Sequence, residues 1–272
     1  VVFLCKKKQE IYCTPAAACI TIGKEKSSRN WFDKLLNVYE VSEMNEKQMA
    51  GYEAAKYVKD GMLVGIGTGS TAYYLIEKLG QRVKEEGLKI KCVSTSDAST
   101  EQAKSLGIEL LDTNDAPELD ICIDGVDEVD PQFNGIKGGG GALFREKIVA
   151  SSAKYNIWVC HSAKLVDEIG AFGLPVEVLP FGYKHVVKKM QEAGFEPVLR
   201  MNKDGSIYET NNHNYILDTK YTNSKFGKDY AAMEAFLKGT LGVLETGFFL
   251  NRTDIIISAG PDGIQTIQNP NR

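Results

Sequence analysis

The chain has 272 residues, of which 43% are hydrophobic and 25% charged, with a formal net charge of -4. This composition supports a sizeable core and excludes wholesale disorder, and the slight acidity excludes a general nucleic-acid surface, so an anionic ligand must be held by local groups. No apolar run is long enough to span a membrane, and the six cysteines form no C-x-x-C pair, which fits a reducing, cytoplasmic setting better than a disulfide scaffold.

Residues 1–43 show poor periodicity and do not begin with Met. They are set apart as an unplaced N-terminal segment, disordered or a leader. From Met44 the pattern becomes regular. Glu46 to Lys59 reads as a helix with Met49, Tyr52, Ala54, Ala55 and Val58 on its apolar side. Met62–Gly67 is a buried strand, Thr71–Glu86 a helix, Ile90–Thr95 a strand and Ser99–Leu106 a helix. The runs IELL and Leu119–Gly125 follow as strands, then a helix over Leu143–Tyr155 and a strand over Asn156–His161. This alternation predicts a parallel sheet covered on both faces.

After Pro175 the order becomes strand (VEVL), helix (Tyr183–Ala193), two strands (EPVLRM, NYILDTKY), helix (Tyr230–Lys238) and strand (VLETGFFL). That is the split βαβ pattern of a small ferredoxin-like α+β domain. The tail, with a strand and a Pro-Asp-Gly turn, is expected to return to the larger sheet. The expected organisation is therefore α/β, with residues 44–174 plus 245–272 as the catalytic domain and 175–244 as a small domain inserted near the C-terminus.

Three segments carry candidate chemistry. Gly65–Thr71 follows a strand and opens a helix, so glycines and free N–H groups at Thr68, Gly69, Ser70 and Thr71 suit an anion. The run lacks the lysine of a P-loop but satisfies a loose G-x-G-x-x-A, so phosphate, dinucleotide and plain-turn readings stand together. Against a dinucleotide, the next strand ends Ser94-Thr95-Ser96 and offers no acid for a ribose. Asp124-Gly125-Val126-Asp127-Glu128-Val129-Asp130 puts four carboxylates at the end of another strand. They suit proton relay, sugar hydroxyls or a cation, although the spacing is not that of a calcium loop; the bland alternative is a solvated acidic turn. Lys137, followed by Gly138, Gly139, Gly140 and Gly141, leads into a helix bearing Glu146. A cation and open backbone beside a carboxylate suit oxyanion stabilisation during proton transfer, against a flexible linker and a surface glutamate.

Ser96 or Asp97 is expected to cap a helix. Lys164 follows the NIWVCH strand and could reach a phosphate from the same sheet edge. His161, His185 and His213 lack metal-ligand spacing, and His161 is assigned to packing or a loop.

The blocks GIGTGSTA, STSDAS, DGVDEVD, KGGGGALFREK and GPDG, in this order, resemble the ribose-5-phosphate isomerase A family. The resemblance implies a Rossmann-like domain with a small α+β insert and an isomerase of a pentose phosphate that needs no cofactor or metal. It implies Glu146 as base, with Asp124, Asp127 and Lys137 as further catalytic groups. Substrate contacts fall on Thr68–Thr71, Asp124–Asp127 and Lys137–Gly140, on Lys164, and on Lys47 in the first helix. Gly141 stands where the family more often has another small residue. The implied partners are a sugar phosphate and further copies of the chain, as a dimer or tetramer, with no nucleic acid and no membrane. Two rival classes remain: a sugar-phosphate sensor on the same scaffold, which would not need Glu146, and a dinucleotide-dependent dehydrogenase.

Overall fold

The computed structural model describes residues 44–272 and, before them, the strands β1 (Val2–Cys5), β2 (Glu10–Cys13) and β3 (Ile20–Thr21). Those three strands form an antiparallel sheet within the unit Val1–Met44, while Asn45–Arg272 is a separate compact unit. The assignment of residues 1–43 as a leader or disordered segment otherwise lies outside the described residues. Among the described residues no helix is long and apolar enough to cross a membrane.

The larger unit opens with α1 (Glu46–Ala55), whose N-cap Asn45 accepts from the Gln48 amide. Its buried face is Ala50, Gly51, Ala54 and Ala55, so contact centres on smaller residues than the predicted Met49 and Tyr52. A Cβ at Gly51 would lie 2.8 Å from the Leu75 amide of α2 (Ser70–Glu86), so glycine permits the close helix approach. Arg82 of α2 donates to the carbonyls of Ala55 and Val58, satisfying groups left open past the end of α1.

The seven-stranded sheet is built from β4 (Leu63–Ile66), β5 (Lys91–Ser94), β6 (Glu109–Leu110), β7 (Ile121–Gly125), β10 (Asn156–His161), β16 (Ile255–Gly260) and β17 (Gly263–Gln268). Its order is β17-β16-β10-β7-β4-β5-β6, parallel except for the β16–β17 hairpin at one edge. The tail thus returns to this sheet as expected, as two strands. The chain runs outward one way through β4, β5 and β6, and the other way through β7, β10 and β16. The switch point lies between β4 and β7, where a crevice opens at the strands' C-terminal ends.

The helices α3 (Asp97–Ser105) and α4 (Leu143–Ser151) follow β5 and precede β10. The strand β11 (Leu174–Val178), α5 (Tyr183–Glu192), β12 (Glu196–Leu199), β13 (Tyr215–Lys220), α6 (Tyr230–Lys238) and β14 (Val243–Thr246) form the βαββαβ series. Their four-stranded antiparallel sheet has the order β12-β13-β11-β14, the arrangement predicted from the pattern. It has its own apolar cluster around Val176, Met190, Phe195, Met233 and Phe248.

One sheet was not anticipated. β8 (Glu128–Val129), β9 (Asn134–Ile136) and β15 (Phe248–Leu250) form a three-stranded antiparallel sheet. The run VLETGFFL, expected as one strand, is therefore broken at Gly247 and serves two sheets. The Gly247 amide donates to the Pro175 carbonyl at 2.7 Å, and its carbonyl accepts from the Lys137 amide at 2.9 Å.

Candidate active site

At the switch point a cavity of about 200 Å³ is lined by Lys47, Thr68, Gly69, Ser70, Thr71, Gly125, Val126, Asp127, Lys137, Gly138, Gly139, Gly140, Glu146, Cys160, His161 and Lys164. Every site residue expected from the sequence borders it except Asp124, which lies beneath its floor.

The floor is a dry charge cluster. Lys137 enters from the end of β9 and is 2% exposed; Asp124 at the end of β7 and Glu146 on α4 are each 3% exposed. The Lys137 ammonium donates to the Gly125 carbonyl and stands 3.0 Å from Asp124 Oδ2 and 3.2 Å from Glu146 Oε2. The ammonium has three N–H donors, so it can pair with both carboxylate oxygens while it holds the carbonyl. Burial raises the proton affinity of Glu146, Lys137 opposes that rise, and the charges of Asp124 and Asp127 add to it; the net effect holds this carboxyl well above the usual carboxylate range. Burial alone would lower the Lys137 pKa, but attraction to Asp124 and Glu146 outweighs it and keeps the lysine charged.

Asp124 Oδ1 accepts from the amides of Thr68 (2.9 Å) and Gly125 (2.7 Å), joining the first loop to the second. A Cβ at Gly67 would sit 1.9 Å from that oxygen, so this glycine makes room for Asp124. The same close approach explains a G-x-G spacing with no dinucleotide. At the end of β5, where a ribose-binding acid would stand, Thr95, Ser96 and Ser99 instead surround the Thr68 hydroxyl, with 2.7 Å contacts from Thr95 and Ser96. Ser96 also caps α3 by accepting from the Ser99 amide, as expected.

The other end of the cleft is open. Gly69 at the N-cap of α2 has φ 108 and no side-chain cap, so the first amides of the seventeen-residue helix remain available beside Ser70 and Thr71. Lys47 and Lys164 both lie near enough to His161 to lower its pKa, after burial as the larger cause. Lys164 is half-buried, with its ammonium 5.2 Å from the centre of the Phe172 ring.

Asp127 borders the cavity and its Oδ2 accepts from the Gly139 amide at 2.8 Å. The remaining acids of the loop do not reach it. Glu128 receives the amides of Gly170 (2.6 Å) and Phe172 (2.8 Å), and Asp130 receives those of Gln132 and Asn134 (2.9 Å each). These two carboxylates fix loops and do not serve as sugar or proton groups. His161, assigned to packing or a loop, stands at the C-terminal end of β10 and lines the cleft. Gly141 has φ +76, and a Cβ there would lie 2.1 Å from the Tyr208 hydroxyl, which gives this departure a physical reason. Among the described residues no group of three His, Cys, Asp or Glu side chains is arranged to hold a metal ion.

The profile of ribose 5-phosphate isomerase A (phosphoriboisomerase A) matches residues 91–263. The ribose-5-phosphate isomerase A of Listeria innocua is 50% identical over 220 residues, covering 81% of this chain and 96% of the relative. That of Enterococcus faecalis is 46% identical over 229 residues, 84% of this chain and 100% of the relative. Among solved structures, ribose 5-phosphate isomerase A of Methanocaldococcus jannaschii superposes with a TM-score of 0.76 at 35% identity, over 82% of this chain and 97% of that one. A D-ribose-5-phosphate isomerase in complex with phospho-erythronic acid gives 0.77 at 33% identity, over 83% of this chain and 100% of that one.

Proposed function

The chain belongs to the ribose 5-phosphate isomerase A family, and from that premise we propose how its cleft carries out the chemistry. The protein is an aldose–ketose isomerase that interconverts D-ribose 5-phosphate and D-ribulose 5-phosphate through an enediol(ate). The observation that supports this assignment best is the dry Lys137 ammonium between two carboxylates, next to an uncapped helix N-terminus.

The phosphate binds at the start of α2, on the amides and hydroxyls of Ser70 and Thr71, with Lys47 and Lys164 supplying charge. Asp127, the half-buried carboxylate at the cavity wall, assists ring opening. Glu146 removes the proton from the carbon beside the carbonyl and returns it to the neighbouring carbon. Its raised proton affinity suits both halves of that exchange. The negative charge that develops on oxygen meets Lys137 and a glycine amide already in place. Asp127 moves the remaining proton between the two oxygens. Asp124 positions Lys137 and Thr68 from below, and its oxygens are already occupied by amides and the ammonium.

In this reading residues 175–244 are a small domain set into the catalytic domain. The enzyme works as a cytoplasmic homo-oligomer, a dimer or tetramer, in the non-oxidative pentose phosphate pathway. An isomerase assay with ribose 5-phosphate after exhaustive dialysis against EDTA tests the core of the proposal. Full turnover is expected; loss on chelation with recovery in Mg²⁺ or Mn²⁺ would reassign Asp124 and Asp127 to a cation.

A further inference from the structure

The glycine loop of the cleft is gripped from the small antiparallel sheet. Arg200, just past β12, donates through Nη1 to the carbonyls of Gly138 (3.0 Å) and Gly139 (3.2 Å). Its other edge is locked on Asp218 of β13, through Nε at 2.9 Å and Nη2 at 2.5 Å. The Arg200 side chain is only 14% exposed and lies 5.6 Å from the centre of the Tyr208 ring. The Tyr208 hydroxyl donates to the next carbonyl, that of Gly140, at 3.2 Å. Three successive carbonyls of the loop therefore turn toward the small sheet.

A trans peptide directs its carbonyl and the following N–H to opposite sides, and no cis peptide occurs among the described residues. Holding the Gly138 carbonyl on Arg200 thus turns the Gly139 N–H the other way, where it meets Asp127 Oδ2 at 2.8 Å. By the same rule, holding the Gly139 carbonyl turns the Gly140 N–H away from Arg200. Gly140 lines the cleft, and its N–H has no acceptor among the described residues. The Gly141 N–H closes the turn on the Gly138 carbonyl at 2.9 Å. Glycines carry no side chains to fix their peptide planes, so the orientation must be imposed from outside the loop.

We propose that Arg200 is a positioning residue for the isomerisation: by holding the Gly138 and Gly139 carbonyls it aims the Gly140 N–H at the enediolate oxygen and the Gly139 N–H at Asp127. This rests on the cleft being the proton-transfer site described above. The small sheet thereby takes part in the chemistry without touching substrate. A lysine cannot replace the arginine, because one ammonium lacks the planar fork that engages a carboxylate and two carbonyls together.

Arg200→Met tests the assignment in the full-length protein. Loss of one preorganised oxyanion donor lowers kcat by about 10²-fold, while KM for ribose 5-phosphate is expected to stay within about threefold of the parent. Inhibition by phospho-erythronate, whose carboxylate imitates the enediolate, should weaken in step with kcat/KM. Inhibition by ribitol 5-phosphate, which carries no such charge, should not. Added guanidinium ion should restore part of kcat. Parental kcat, equal weakening of both inhibitors, or no response to guanidinium would each overturn the role. If Arg200→Met does not fold, Arg200→Lys decides: a folded variant with low kcat supports the proposal, and parental kcat removes it. The underlying reading fails separately, through a Glu146→Gln variant that still turns over.

Discussion

The two ends of the cleft use similar groups in opposite surroundings. At one end an ammonium and two carboxylates are at most 3% exposed; at the other, two half-buried lysines and a histidine flank an open helix N-terminus. In the dry end charges interact through a poor dielectric, so neighbours shift each other's proton affinity and chemistry becomes possible. At the open end water and salt screen the same charges, which can hold an anion but tune little. Burial divides the labour, reaction below and grip above.

The contrast breaks most visibly at Glu146. Glu146→Gln retains the shape but cannot accept a carbon-bound proton, so kcat should fall by at least about 10²–10⁴-fold, with binding of phosphorylated inhibitors preserved. Turnover near the parent would remove the base from this position.

Lys137→Met tests the dry end as structure. It leaves Asp124 and Glu146 facing each other without their cation, a loss of roughly 3–5 kcal/mol for a broken buried pair. Urea denaturation should show the reduced midpoint; an unchanged midpoint would mean the cluster is wetter than its burial implies.

Lys164→Ala tests the open end. A charge-assisted contact contributes about 1.5–3 kcal/mol, and screening at a half-exposed site favours the lower part of that range. KM for ribose 5-phosphate should rise about tenfold, more at low salt, with kcat and Tm almost unchanged. Affinity for phosphorylated ligands that does not respond would move the phosphate elsewhere and reverse the substrate's direction.

The smallest effect is one of sign. The pKa of Glu146 is raised in the folded state, so its contribution to stability is fully present below the unfolded pKa and lost as pH rises through the folded one. Glutamine does not ionise. Glu146→Gln should therefore gain Tm relative to the parent as pH climbs from acid toward mildly alkaline, by about 2–4 °C per kcal/mol recovered. A difference in Tm that is flat across that window would show that the carboxyl is not strained by burial.

Much of the seven-stranded sheet and of the loops at its strand ends was legible because the signals are local. Glycine-rich strand-to-helix turns mark Gly65–Thr71, and a lysine held by glycines before a helix marks Lys137 and Glu146. What escaped depends on distant partners. β8 and β9 have two and three residues, too few for alternation to show. Glu128 looked like its acidic neighbours until the amides of Gly170 and Phe172 were found on it. Arg200 and Tyr208 are more than sixty residues from the carbonyls they hold, beyond the reach of any spacing rule.

The break at Gly247 has a consequence for how the molecule is assembled. The chain enters the small sheet at Leu174–Pro175 and leaves it at Thr246–Gly247, and the two points are hydrogen-bonded to each other. The intervening segment is rooted at a single spot, like a bead on a closed loop of thread. Its ends could be spliced with a very short bridge, since closing so narrow a gap needs little chain. Such a shortened protein would retain the seven-stranded sheet, Lys137 and Glu146. It would lack Arg200 and Tyr208, and with them the outside hold on three glycine carbonyls, leaving the catalytic groups present and one of their loops unaimed.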